Sequence, residues 1–131
     1  MLNLGYPGGV FVSKMADEFA CKNPNHKSAF NLPKPMLHKN NYDFSFSGLK
    51  TAVLYLIQDL KKEGKFFKKI IPQICFEAQE VICDVLVAKT LKLAKDIDAK
   101  TIMISGGVSA NNRLRQKFQQ SMLKTPPAQW K

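Results

Sequence analysis

The stretch Ile104-Ser105-Gly106-Gly107-Val108-Ser109-Ala110-Asn111-Asn112-Arg113-Leu114-Arg115 decides how the chain is read. Thr101-Ile102-Met103-Ile104-Ser105, leading into it, is β-branched and apolar, the composition of a buried strand. Leu114 and Phe118, on its far side, are four residues apart, the spacing of one helix face. Two glycines mark the junction. A strand that turns through glycines into a helix leaves unpaired backbone N–H groups at the positive end of the helix dipole, a cradle for phosphate or another anion. Ser109 or Asn111 is placed either to cap that helix or to face a ligand. A plain tight turn accounts for the same residues, and spacing alone leaves both readings open.

At 131 residues the chain is expected to form one domain, and its 45% hydrophobic content excludes a disordered segment. Twenty Lys and Arg against ten Asp and Glu give a net charge of +10, which favours anionic partners, nucleic acid first and an acidic protein or membrane surface second. Arg113 and Arg115 are the two arginines. The other strong bases are lysines, suited to diffuse phosphate attraction rather than bidentate base reading. Cys21, Cys75 and Cys83 include no Cys-x-x-Cys pair, which argues against zinc. An odd count of unclustered thiols suits the reducing cytoplasm. Apolar runs are too short to span a bilayer, and no membrane partner is expected.

Gly5-Tyr6-Pro7-Gly8-Gly9 reads as a turn, followed by a helix over residues 10–21 with Val12, Met15, Ala16, Phe19 and Ala20 as its apolar stripe. Residues 22–41, rich in Asn and Pro, read as a loop in which His26 and His38 are surface residues. Ser47 is the expected cap of a helix running to about Lys62, with Leu49, Val53, Leu56, Ile57 and Leu60 on one face and Gly64 as its stop. The amides around Gly48, with Lys50 close by, offer a second anion contact. A long helical region follows from about Phe66 to Ile97, kinked or divided by Pro72. Its apolar face runs from Phe67 through Ile70, Ile71, Ile74, Ala78, Val81 and Val85. Glu77, Glu80 and Asp84 share one side, expected as a solvated face, and Lys89, Lys92 and Lys95 form a basic ridge. The last helix is expected from Ser109 to Leu123, with a non-helical tail over 124–131.

Five segments, "GYPGG" (5–9), "LPKPML" (32–37), "YDFSFSGLKTAV" (42–53), "ICDVLVAKTLKLA" (82–94) and "ISGGVSANNRLR" (104–115), resemble in that order the bacterial tRNA threonylcarbamoyladenosine transferase family, whose older name is glycoprotease or O-sialoglycoprotein endopeptidase. Composition and periodicity do not reach this function. The resemblance implies an α/β fold, mostly helical in this chain. Residues 1–123 would be part of the second ribonuclease-H-like lobe of an actin-, sugar-kinase- and Hsp70-like ATPase fold. It implies an acyltransferase that moves a threonylcarbamoyl group from threonylcarbamoyl-adenylate to the adenosine beside the anticodon of ANN-decoding tRNAs. The implied partners are tRNA and other subunits of a threonylcarbamoylation complex. The implied ligands are the adenylate or an ATP-like nucleotide and one divalent metal ion, iron or zinc.

Carried over by motif, Gly9 and Asn111 are expected to bind the adenylate, with Gly106 and Gly107 at its phosphate region. Ser47, Gly48 and Lys50 are expected to shape the cleft. Ser13 stands where relatives often carry an acid, which weakens that contact. The family's His-x-x-x-His and Cys-Thr-Asp-Asn metal motifs have no counterpart in this sequence, so no catalytic residue or metal ligand is carried over. The chain therefore reads as a C-terminal-lobe piece, expected to be inactive alone, whether part of a longer protein or the product of a broken gene. Two other readings remain: a non-catalytic module that docks tRNA or partner subunits, and the metalloprotease of the older name. The absence of His-Glu-x-x-His counts against the protease.

Overall fold

Apolar residues recurring three and four positions apart must be buried on one side of a helix, and that spacing sets the architecture. The computed structural model describes residues 8–124. It contains α1 (Gly8–Lys22), α2 (Ser47–Lys62), α3 (Ile71–Asp96) and α4 (Asn112–Lys124), with short 3-10 turns at Lys68–Ile70 and Gly107–Ala110. No strand forms among the described residues, so the expected strand at Thr101–Ser105 is a correction. Its backbone is irregular, with Met103 86% exposed. A β-branched run becomes a strand only where another strand completes its hydrogen-bond ladder, and residues 8–124 supply none.

The chain divides into two compact units. One comprises the chain up to Pro35 together with Ser45–Ile82; the other comprises Met36–Phe44 together with the chain from Cys83 onward. Helix length accounts for the division. At 26 residues α3 extends about 39 Å, long enough for each half to carry a separate core.

In the first unit Leu49, Val53, Ile57 and Leu60 of α2 are buried with Ile74 and Val81 of α3. Each such side chain contributes about 1.5–3 kcal/mol over its exposed state. Phe30, Leu32, Phe46 and Phe66 pack against this cluster. Packing also sets where α2 begins. Phe46 takes the N-cap position and no side chain caps the helix, so Ser47 is the first helical residue rather than the cap. Gly64, at φ +66°, ends α2 as expected. The Lys65 N–H donates to the Leu60 carbonyl at 2.8 Å and the Gly64 N–H to that of Lys61 at 3.1 Å, the paired bonds of a Schellman stop. Pro72 lies in the first turn of α3, where its missing N–H costs nothing. Residues before the 3-10 turn are not helical, and Phe67, expected on the apolar face, is 63% exposed.

In the second unit Cys83 and Val87 of α3 are buried with Leu114 and Phe118 of α4. Lys117 of α4 pairs with Asp84 of α3. Asp98, at φ +50°, closes α3, with the Ala99 N–H donating to the Ala94 carbonyl at 2.8 Å. The cysteines are free thiols, and burial pushes the Cys75 thiol up to about 11. Among the described residues no helix is long and apolar enough to cross a membrane. Of the expected tail, residues 125–131 lie outside the described range.

Candidate functional site

The glycine stretch folds into a compact turn. Gly106 sits at φ +79°, ψ 176°, a backbone region that glycine alone occupies readily. The Ser109 N–H then donates to the Gly106 carbonyl and the Asn111 N–H to that of Val108, both at 3.0 Å, forming the 3-10 turn. Helix α4 begins after it, which shifts the expected start from Ser109 to Asn112. Asn111 Oδ1 accepts the Leu114 N–H at 2.9 Å, so of the two candidate caps Asn111 is the one used. The cradle therefore differs from a simple strand–glycine–helix junction. Gly106 precedes a four-residue 3-10 turn that Gly107 opens, and the amides of α4 lie beyond Asn111.

Positive charge at this turn comes from side chains. Arg115 Nε donates to the Ser109 carbonyl at 2.6 Å, which folds the guanidinium back onto the turn. No acidic residue is found in the first turn of α4. Gly107 and Val108 are exposed, and a Cβ at Gly107 would meet no described atom within 4 Å. The fold thus needs glycine at 106 and leaves the space at 107 open to an approaching group. Replacing Gly106 with alanine is expected to lower stability by about 1–3 kcal/mol, read as a drop in urea midpoint, because the strain is in the backbone and not in a clash.

The other expected contacts lie in the first unit. Gly9 is exposed in the first turn of α1, with half-buried Ser13 one turn later. Ser47, Gly48 and Lys50 share the exposed first turn of α2, which has no acidic residue. The structure thus brings Ser47, Gly48 and Lys50 together in one turn and Gly106, Gly107 and Asn111 in another. Each turn suits an anion: one has a lysine beside uncapped amides, the other an arginine beside an open glycine backbone. For a metal ion the residues do not fit. Among the described residues no group of three or more His, Cys, Asp or Glu could hold one.

Three expectations about individual side chains are corrected. Glu77 is 3% exposed and is not on a solvated face. Its carboxylate accepts the Ser28 hydroxyl at 2.7 Å, the Phe30 N–H at 2.9 Å and the Ala29 N–H at 3.0 Å. His26 is not a surface residue. Its Nε2 lies 3.0 Å from Glu77 Oε1, and its ring meets Phe19 and Phe76 edge-on at 4.8 and 5.7 Å. Lys89, expected on a basic ridge, is 2% exposed and donates to the backbone and side-chain oxygens of Asn41 and the Asp43 carbonyl. Spacing held a signal for both buried charges. Glu77 stands three residues after Ile74 and four before Val81, and Lys89 stands four after Val85.

Comparison with known proteins assigns the family. A family model described as TsaD, tRNA N6-adenosine threonylcarbamoyltransferase, matches residues 1–129. The chain belongs to that family. Three relatives bear the name tRNA N6-adenosine threonylcarbamoyltransferase. The protein of Fervidobacterium nodosum is 49% identical over 119 residues, 90% of this chain and 34% of its own length. That of Thermosipho africanus is 44% identical over 121 residues, 91% of this chain and 33% of its own. That of Bordetella avium is 39% identical over 118 residues, 90% and 32%. The chain thus spans about a third of the length of the curated relatives it matches. The threonylcarbamoyltransferase family is the one that the five sequence motifs resemble.

Proposed function

We propose that this chain is the part of a threonylcarbamoyltransferase that faces the acyl donor, within a protein that modifies adenosine N6 in tRNA. The family match over residues 1–129 carries this reading. The donor is threonylcarbamoyl-adenylate. The acceptor is the adenosine beside the anticodon of ANN-decoding tRNAs, and the reaction takes place in the cytoplasm. In the transfer the adenosine amine attacks the carbamoyl carbonyl, and the adenylate phosphate leaves with the bonding electrons. What this chain offers is stabilisation of that phosphate. The Gly106–Gly107 backbone admits it, Asn111 contacts the adenylate, and Arg115 supplies a cation held against the turn. In the first unit, Gly9 and Ser13 are the residues that the family's motifs assign to the nucleoside end of the donor, and Ser47, Gly48 and Lys50 those they assign to the cleft. The family's divalent metal, iron or zinc, takes its ligands from outside the described residues.

In the whole protein this chain belongs to a ribonuclease-H-like lobe of an actin-like fold. Exposed Met103 and Ile104 support that reading, since a β-branched, apolar segment without a ladder is what a sheet completed by further chain requires. The other subunits of a threonylcarbamoylation complex are further partners. A purely tRNA-binding module is less well supported, because the relatives' names state a transferase.

Asn111 tests the site in the full-length protein. Asn111→Ala removes both the cap and the amide, whereas Asn111→Ser keeps a capping oxygen and removes the amide. Alanine is expected to lower stability by about 1 kcal/mol, and serine by only a few tenths. Both should weaken threonylcarbamoyl-adenylate binding about tenfold or more and slow tRNA modification. Full binding and transfer by Asn111→Ser would remove Asn111 from the site. Failure of the unmutated full-length protein to modify tRNA would overturn the function.

A further inference from the structure

Five of the lysines fall within nine residues, Lys61, Lys62, Lys65, Lys68 and Lys69, where α2 ends and the chain enters α3. All five are exposed. Asp59 and Glu63 are the carboxylates beside them, pairing with Lys62 at 3.7 Å and Lys65 at 2.9 Å, and the segment keeps an excess of positive charge. Helix electrostatics account for part of the cluster, since Lys61 and Lys62 in the last turn of α2 offset its dipole. They do not account for the rest. Lys68 and Lys69 stand on the 3-10 turn just before the N-terminus of α3, where the dipole repels cations, and neither that turn nor the first turn of α3 holds an acid.

Phe67 stands among these lysines. Phe66 packs on the core with Lys61 over its ring at 5.2 Å, but Phe67 is extended, at φ −115° and ψ 157°, and 63% exposed. Lysines that attract phosphate around one presented ring match an RNA backbone with an unpaired base to stack. A membrane surface would call for several apolar anchors, and Phe67 is the one exposed large hydrophobic residue in this stretch.

We propose that the α2–α3 junction is an RNA-docking surface, with Lys65, Lys68 and Lys69 on the phosphodiester backbone and Phe67 stacked on an unpaired base. The proposal rests on the reading that the protein acts on tRNA, and it names the contact.

Full-length protein carrying K65Q, K68Q and K69Q together tests it by tRNA binding across a salt series. Affinity near 0.1 M salt should fall about 10- to 100-fold, and the slope of log K against log salt should shrink by about 2–3, one released counterion per lysine. Phe67→Ala should weaken binding about fivefold or more, and Phe67→Trp should restore it. The thermal midpoint should stay at the parent value, since the lysines are exposed. Parental affinity and slope in the triple variant would overturn the surface. An equal loss from K14Q, K22Q and K27Q would also overturn it, by showing that net charge alone acts. If the triple variant lost parental binding to phosphatidylserine vesicles or polyglutamate but kept tRNA binding, the surface would belong to a membrane or an acidic protein. A parent protein that bound no tRNA even at low salt would instead bring down the tRNA reading itself.

Discussion

Glu77→Ala is expected to destabilise the first unit by about 3–5 kcal/mol, the largest effect of any single substitution considered. The carboxylate is 3% exposed and holds Ser28, Ala29, Phe30 and His26, with Gln73 donating from one turn away at 3.2 Å. Alanine leaves two loop N–H groups and a half-buried imidazole without their acceptor, and each donor left unpaired carries a cost that grows with its burial. Equilibrium urea unfolding would measure the loss, and a change below 1 kcal/mol would show that water replaces the carboxylate. The same site predicts a pH dependence. Burial pushes the Glu77 carboxyl up, but the N–H of Ala29, the hydroxyl of Ser28, the N–H of Phe30 and His26 together outweigh burial and hold it below its ordinary value of 4.5. A carboxyl depressed on folding stabilises fully above its unfolded value, and the gain is lost as pH falls through the folded value. Melting temperature should therefore drop below about pH 4.5, and Glu77→Gln should flatten that part of the profile.

Lys89→Met should cost about 2–3 kcal/mol and release the segment Met36–Phe44. The ammonium meets Asn41 O at 3.0 Å, Asn41 Oδ1 at 2.9 Å and Asp43 O at 2.8 Å, one oxygen for each of its three donors. Methionine keeps the aliphatic stem and strands the three oxygens. Removing a buried charge returns part of the loss, so the net effect falls below that of Glu77. Lys89→Arg should not restore stability, since a planar fork cannot place three donors as an ammonium does. Hydrogen exchange over residues 36–44 is the direct readout. Unchanged protection there would mean that Tyr42, whose hydroxyl donates to Asp96 at 2.7 Å, holds the loop without Lys89.

The helices were legible because their cause is local. Apolar spacing over 47–62 and the Gly64 stop act within a few residues, and the structure has them as read, whereas Pro72, expected to kink or divide a helix from Phe66, stands in the first turn of α3. The capping oxygen of Asn111 was legible for the same reason, as it reaches only to Leu114. In the candidate site, the positive φ at Gly106 follows from a glycine turn, whereas the retraction of Arg115 onto Ser109 does not show in the residue order. Glu77 and Lys89 are buried where residue order points to a solvated face and a basic ridge. Their place on an apolar face is visible in the spacing, but apart from Gln73 their partners lie 46 to 51 residues away, and no local pattern pairs them.

Residue order sufficed for the extent of α2, for its glycine stop and, through five ordered motifs, for the family, because each depends on neighbours along the chain or on matched strings. Three-dimensional packing settled the rest. It split one long helix between two cores, turned two expected surface charges into loop clamps, and left Thr101–Ser105 without a ladder. Burial of a charge and pairing of a strand depend on groups far away in sequence, and a residue's own neighbours say only that it is able to be buried or extended.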